Sequence, residues 1–153
     1  MKALRKTRAA AGVELVEVAP PVIDRDDQVL VRVHATGICG SDLHMLVHGE
    51  ESRRLSEELS AGQPADPMSP KMFDPHQDTV MGHEFCCEVV ELGPGCENLK
   101  VGDVVVSMPV NFDATGLHPL GYSNVYNGGY AELMVLNELL GIKVPGGVPA
   151  DLA

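Results

Sequence analysis

Apolar and polar residues alternate most cleanly over Gln28–Thr36, where Val29, Val31, Val33 and Ala35 interleave with Leu30, Arg32, His34 and Thr36. A period of two puts the two sets on opposite sides of a sheet, so this run predicts a strand with one buried face. Shorter runs at Val13–Val18, Glu88–Leu92, Val104–Met108, Tyr130–Leu136 and Ile142–Val144 predict further strands. Pro20-Pro21, Gly93-Pro94-Gly95 and Gly102-Asp103 separate them as turns, since proline has no N–H to give to a ladder. After Gly37, either Ser41 or Asp42 is placed to cap a short helix. Leu55 and Leu59 stand four apart among Glu50, Glu51, Arg53, Arg54, Glu57 and Glu58, which predicts one exposed amphipathic helix ended by Gly62 and Pro64. Residues 64–79 hold four prolines and no apolar period, the mark of a long surface loop. Residues 109–129 read as turns. The pattern predicts a mainly β (α+β) domain, closed or nearly closed into a barrel, with one or two peripheral helices.

Composition sharpens this picture. The 153 residues are 44% apolar and 22% charged, an ordinary globular mixture of single-domain size. Aromatics are 4% with no Trp, so the core must be aliphatic and thin. The net charge is −11, and four of the eleven bases (Lys2, Arg5, Lys6, Arg8) fall in the first eight residues. Elsewhere seven bases face twenty-two acids. That balance excludes a basic face for nucleic acid and disfavours anionic membrane surfaces. No apolar stretch approaches the ~20 residues of a membrane span, and the basic start lacks the apolar run of a secretory signal. The expected location is the cytoplasm, where Cys39, Cys86, Cys87 and Cys96 serve as ligands or small core residues.

The candidates for chemistry are Cys39, His83 and Glu84, with Asp42 and His44 near the first. A thiolate, an imidazole and a carboxylate suit Zn²⁺, and a catalytic zinc takes about three protein ligands plus water. Spacing alone does not assemble them. Cys39 and His83 are forty-four residues apart, and a single Cys in a β domain is more often a buried small hydrophobe.

Segments 35–44 (ATGICGSDLH), 82–85 (GHEF), 89–95 (VVELGPG), 100–106 (KVGDVVV) and 128–132 (GGYAE) occur in an order that resembles the zinc-dependent medium-chain alcohol dehydrogenase family. The likeness runs from Met1-Lys2-Ala3-Leu4 to Ile142-Lys143-Val144-Pro145. It implies the family's N-terminal catalytic domain, a GroES-like distorted β-barrel with short peripheral helices. It further implies that Cys39 and His83 ligate a catalytic zinc, that Glu84 is the carboxylate beside the metal, and that Asp42 orients the imidazole. Ser41 and His44 would relay the alcohol proton to solvent. The chemistry is coherent: a Lewis-acidic zinc lowers the pKa of an alcohol, and a hydroxyl and a solvent-facing imidazole carry its proton away. The implied substrate is a small alcohol, polyol or sugar, oxidised to a carbonyl with NAD(P).

The sequence departs from the family pattern in three places. Cys87 stands where the family has Gly; Cys86, Cys87 and Cys96 are expected to be packing residues. Residues 107–130 hold no Cys, so one catalytic zinc and no structural zinc is expected. Residues 48–79 look like an insertion. No G-x-G-x-x-G occurs, so no cofactor-binding residues are assigned in 1–153, and the Rossmann domain with its NAD(P) site is expected after residue 153. Alone, the chain is expected to be inactive and its half-built zinc site weak. His34, His48, His76 and His118 are expected at surface or strand positions. Neither nucleic acid nor membrane is an expected partner, and the resemblance leaves room for a homo-oligomer of the full-length protein. Two rival readings remain, a GroES-like binding or assembly module and a zinc-independent reductase of the same superfamily. The pairing of Cys39 with Gly82-His83-Glu84 argues against the second.

Overall fold

The computed structural model describes residues 1–7, 12–61, 70, 74 and 76–153. Among these, the strands in chain order are β1 (Lys2–Lys6), β2 (Val13–Glu17), β3 (Gln28–Thr36), β4 (Thr79–Val80) and β5 (Phe85–Leu92). They continue as β6 (Val104–Ser107), β7 (Val110–Asp113), β8 (Gly116–Pro119), β9 (Leu133–Asn137) and β10 (Gly141–Lys143), and one helix, α1 (Gly40–Ser60), lies between β3 and β4. The alternating run is the heart of the fold. β3 sits inside an antiparallel sheet of order β10-β6-β5-β3-β9. Its inward residues Val29 and Val31 pack with Phe85, Cys87 and Val89 of β5 and Met134 and Leu136 of β9. Every second residue contributes, as the pleat requires.

A smaller sheet, β2-β1-β4, is joined to the first by Tyr130–Glu132. The Leu4 N–H donates to the Tyr130 carbonyl (2.7 Å), the Glu132 N–H to the Lys2 carbonyl (3.2 Å), and the Val33 N–H to the Glu132 carbonyl (3.0 Å). This segment therefore bonds β1 and β3 at once and bends the sheets into a barrel. The predicted strand at Tyr130–Leu136 accordingly enters the large sheet only at Leu133.

Three elements differ from the sequence expectation. The predicted short helix and the amphipathic helix are one element, α1, which leaves helical dihedrals at His48 (φ −118°, ψ 17°) just before Gly49. Its cap is Cys39, not Ser41 or Asp42; Asp42 occupies the third helical position and accepts the Cys39 N–H at 3.0 Å. Leu55 and Leu59 are 54% and 73% exposed, so the far half of α1 buries no leucine stripe. It carries surface pairs instead, Arg53 with Glu50 and Glu57 and Arg54 with Glu58, each of at most about 0.5 kcal/mol. Gly62, Pro64 and most of the predicted 64–79 loop lie outside the described residues. Within the turn-rich 109–129 stretch, β7 and β8 form a hairpin that the sequence did not announce.

That hairpin is held by buried polar side chains. Asn111 Nδ2 donates to the Val135 carbonyl (2.8 Å) and its Oδ1 accepts the Asn137 N–H (3.0 Å), while Asn137 Oδ1 accepts the Phe112 N–H (2.6 Å). His118, in strand β8 and only 2% exposed, places Nε2 3.0 Å from Asp113 and 2.9 Å from the Thr115 hydroxyl. Burial alone would raise the Asp113 pKa, but hydrogen bonds from Thr115, His118 and Tyr126 outweigh it and hold the carboxyl well below its ordinary range. The four cysteines are all free. Cys87 lies in the barrel core, where burial pushes its thiol up to about 12, and the Cys96 thiol reaches the Gln28 carbonyl at 3.2 Å. No described helix is long and apolar enough to cross a membrane.

Glu138, 7% exposed, accepts the backbone N–H groups of Glu97 (3.1 Å), Asn98 (2.7 Å) and Leu99 (2.8 Å). Burial acts to raise its pKa, but these donors prevail and lower it. A carboxylate so lowered adds stability above its unfolded pKa and loses it as pH falls through the folded value. Glu138→Gln should cost about 1–3 kcal/mol at neutral pH. Urea unfolding across pH should show that difference closing in acid.

Candidate metal centre

The site is built from the main chain outward. β3 ends at Thr36, whose hydroxyl donates to the Glu84 carbonyl at 2.7 Å, and the Gly37 N–H donates to the same oxygen at 2.9 Å. The end of β3 is thereby tied to the start of β5. The Glu84 side chain lies over Gly37, where any Cβ would collide with the carboxylate.

On the other side, His83 follows Gly82, whose φ of +95° is a conformation that L side chains rarely adopt. Gly82 packs backbone to backbone against Gly121 (φ +77°) and Gly128. The N–H groups of Gly128, Gly129 and Tyr130 donate to the carbonyls of Val80, Gly82 and Met81 at 2.9, 2.8 and 2.9 Å. A Cβ on Gly128 would strike the Met81 and Gly82 carbonyl oxygens, and one on Gly121 would sit 2.7 Å from the latter. This contact between main chains sets His83 beside Tyr122, with ring centroids 5.0 Å apart.

The hub is Asp42, 3% exposed. Its Oδ2 accepts the Cys39 N–H (3.0 Å) and the Tyr130 hydroxyl (2.9 Å). Its Oδ1 lies 3.2 Å from His83 Nδ1 and 3.2 Å from the Tyr122 hydroxyl. An ionised carboxylate only accepts, so the network assigns the imidazole proton to Nδ1 and leaves the Nε2 lone pair open. Nε2 is 3.3 Å from Ser41 Oγ, which donates to Cys39 Sγ at 3.1 Å. Donor atoms of Cys39, His83 and Glu84 lie within 4.8 Å of one another. Thiol, imidazole with an open nitrogen, and carboxylate make a donor set that fits Zn²⁺. Beside them opens a cavity of about 290 Å³ lined by residues that include Thr36, Gly37, Glu84 and Cys86.

The structure thus brings Cys39, Ser41, Asp42, His83 and Glu84 together. His44 does not join them: it is exposed, lies 3.4 Å from Ser52 Oγ and packs against the His48 ring. Two tyrosines that the sequence reading passed over do join. The Tyr122 hydroxyl is 3.1 Å from Ser41 Oγ and 3.0 Å from His83 Nδ1. Burial, with Asp42 beside it, pushes the Tyr122 hydroxyl up to about 12, so it stays protonated at neutral pH; Tyr130 is raised further by the same causes. Each tyrosine follows a glycine, Gly121 or Gly129, and that pairing was the signal available in the sequence.

Comparison with known proteins agrees with this architecture. Residues 25–146 match the alcohol dehydrogenase GroES-like domain. L-threonine 3-dehydrogenase of Cutibacterium acnes is 42% identical over 105 residues, 69% of this chain and 25% of that protein. A probable diacetyl reductase ((R)-acetoin forming) of Saccharomyces cerevisiae is 31% identical over 87% of this chain and 36% of its own length. In three dimensions, galactitol-1-phosphate dehydrogenase from Escherichia coli superposes with a TM-score of 0.71 at 21% identity, over 99% of this chain and 40% of that one. The chain belongs to the zinc-type medium-chain alcohol dehydrogenase family and has the fold of its GroES-like domain, a distorted β-barrel. It spans about a quarter of the length of the threonine dehydrogenase it matches.

Because Gly128 meets Gly82 with no room for a side chain, Gly128→Ala should destabilise the fold by at least about 2 kcal/mol. Thermal unfolding checks this; a melting temperature equal to that of the wild type would show that the junction relaxes freely.

Proposed function

We propose that the chain is the zinc-binding catalytic domain of an NAD(P)-dependent dehydrogenase that oxidises a small alcohol, polyol or sugar to a carbonyl. The convergence of Cys39, His83 and Glu84 above the buried Asp42 carries this reading. Cys39, His83 and Glu84 would hold the ion, and Zn²⁺ so held supplies Lewis acidity that lowers the pKa of an alcohol. Asp42 fixes the His83 tautomer and strengthens Nε2 as a donor. Tyr122 acts as a positioning residue, bracing the His83 ring by its face and its Nδ1 edge. Ser41, whose hydroxyl donates to Cys39 Sγ and accepts from Tyr122, exchanges that proton with the hydroxyl of a substrate. His44 is the outward step to solvent, reached when its side chain turns from Ser52.

The dinucleotide is held, in this proposal, by a Rossmann domain that follows the present residues in a longer protein, so 1–153 alone turns over no alcohol. The relatives, a threonine 3-dehydrogenase and a probable diacetyl reductase, support a small polar alcohol as substrate. Residues 48–79 are an insertion in this reading.

Zinc titration against a chelator tests the ligand set. Cys39→Ala and His83→Ala should each weaken binding by well over tenfold, and Tyr122→Phe by about tenfold with little change in melting temperature. Equal zinc binding by Cys39→Ala, His83→Ala and wild type would favour a GroES-like module that binds or assembles without catalysis.

A further inference from the structure

One face of α1 carries two imidazoles, His44, the outward step of the proposed proton path, and His48, which that path does not use. Their ring centroids are 5.1 Å apart with the planes tilted by 36°. Residues at i and i+4 on a helix share a face, and a His pair at that spacing can grip one metal ion from both sides. His48 is also the residue where α1 leaves helical dihedrals, and its ring still lies against that of His44.

Around the rings lies a cavity of about 270 Å³ lined by His44, His48, Glu51, Ser52 and Leu55. Glu51 places a carboxylate oxygen 3.7 Å from His48 Nδ1, and Ser52 Oγ is 3.4 Å from His44 Nε2. Glu50, one residue before, pairs with Arg53 at 2.9 Å and faces His76 Nε2 at 3.6 Å. Unlike those of Cys39, His83 and Glu84, the donor atoms of His44, His48 and Glu51 are not already gathered within 4.8 Å, so an ion has to draw them together. The side chains are exposed or half-buried, and turning them costs little desolvation.

We infer that His44, His48 and Glu51 form a second metal site, distinct from Cys39, His83 and Glu84, that takes a divalent late transition-metal ion. Two imidazoles and a carboxylate suit Ni²⁺, Cu²⁺ or Zn²⁺ far better than Mg²⁺ or Ca²⁺, which prefer oxygen donors. Ser52 and water supply the remaining positions. An ion bound here draws His44 away from the proton path proposed above, so excess metal would slow the enzyme. That consequence rests on the dehydrogenase reading; the site itself does not.

Ni²⁺ is the probe, because its paramagnetism broadens nearby amide signals and so reports where it sits. In the wild-type chain, titration followed by calorimetry and NMR should show broadening centred on residues 44–52, separate from any around Cys39 and His83. His48→Ala should weaken that event by at least about tenfold, since a lone imidazole loses the high local concentration of its neighbour. His44→Ala should do the same, and Glu51→Gln should weaken it less. Cys39→Ser should leave it unchanged, which separates this site from the catalytic one. The inference is overturned if the broadening at 44–52 never appears, or if it persists with equal affinity in His48→Ala. His48 is exposed, and melting curves of each variant confirm that the fold is retained. Mg²⁺ at the same concentration should displace none of the Ni²⁺; competition by Mg²⁺ would mark a plain acidic patch and equally overturn the site.

Discussion

One buried carboxylate organises this molecule. Asp42 sits almost wholly out of water, and an unpartnered charge there would cost several kcal/mol. It is tolerated because Cys39, Tyr130, Tyr122 and His83 all converge on it from different parts of the chain. Helix start, sheet corner, hairpin exit and β5 approach must therefore all be in place before the charge is satisfied. The same contacts that satisfy Asp42 orient Cys39 and His83, so folding and the ordering of this cluster are one event.

Around this hub, polar wiring does much of what a larger core would do. Few aromatics are available, and the aliphatic interior is thin. Asn111 and Asn137 stand in for a missing ladder between β7 and β9, Glu138 gathers three consecutive N–H groups, and Asp113 collects Thr115, His118 and Tyr126. Asn111, Asn137 and Glu138 tie segments 24 to 41 residues apart, while Asp113 closes the hairpin locally. Such bonds are individually modest but fix geometry that non-directional packing would leave loose.

The parts that could be read in the sequence are those governed by short-range rules. Period-two alternation located β3, because a half-buried strand leaves that trace, and short apolar runs located the cores of β5, β6 and β9. Cys39 and His83 were paired through ordered motifs rather than spacing, since they meet only after the whole of α1 has intervened. The capping residue was misplaced because a cysteine is an unusual cap, and Asp42 serves the helix from its third position. The hairpin at 110–119 left no trace: its strands are four residues long, and its buried positions are filled by Asn111 and His118, which read as polar. Tyr122 was marked only by the glycine before it. Its place arises from the approach of Gly121 to Gly82, a contact between main chains that no apolar–polar pattern records.

That glycine junction bears on how such a domain can diverge. His83 owes its place to peptide groups lying against peptide groups, not to neighbours that can be repacked. Mutation can therefore reshape the walls of the cavity, lengthen α1 or decorate the surface while the imidazole stays where the backbone puts it. A scaffold of this kind separates what the main chain fixes from what side chains can vary, so the setting of one imidazole can outlast wide change around it.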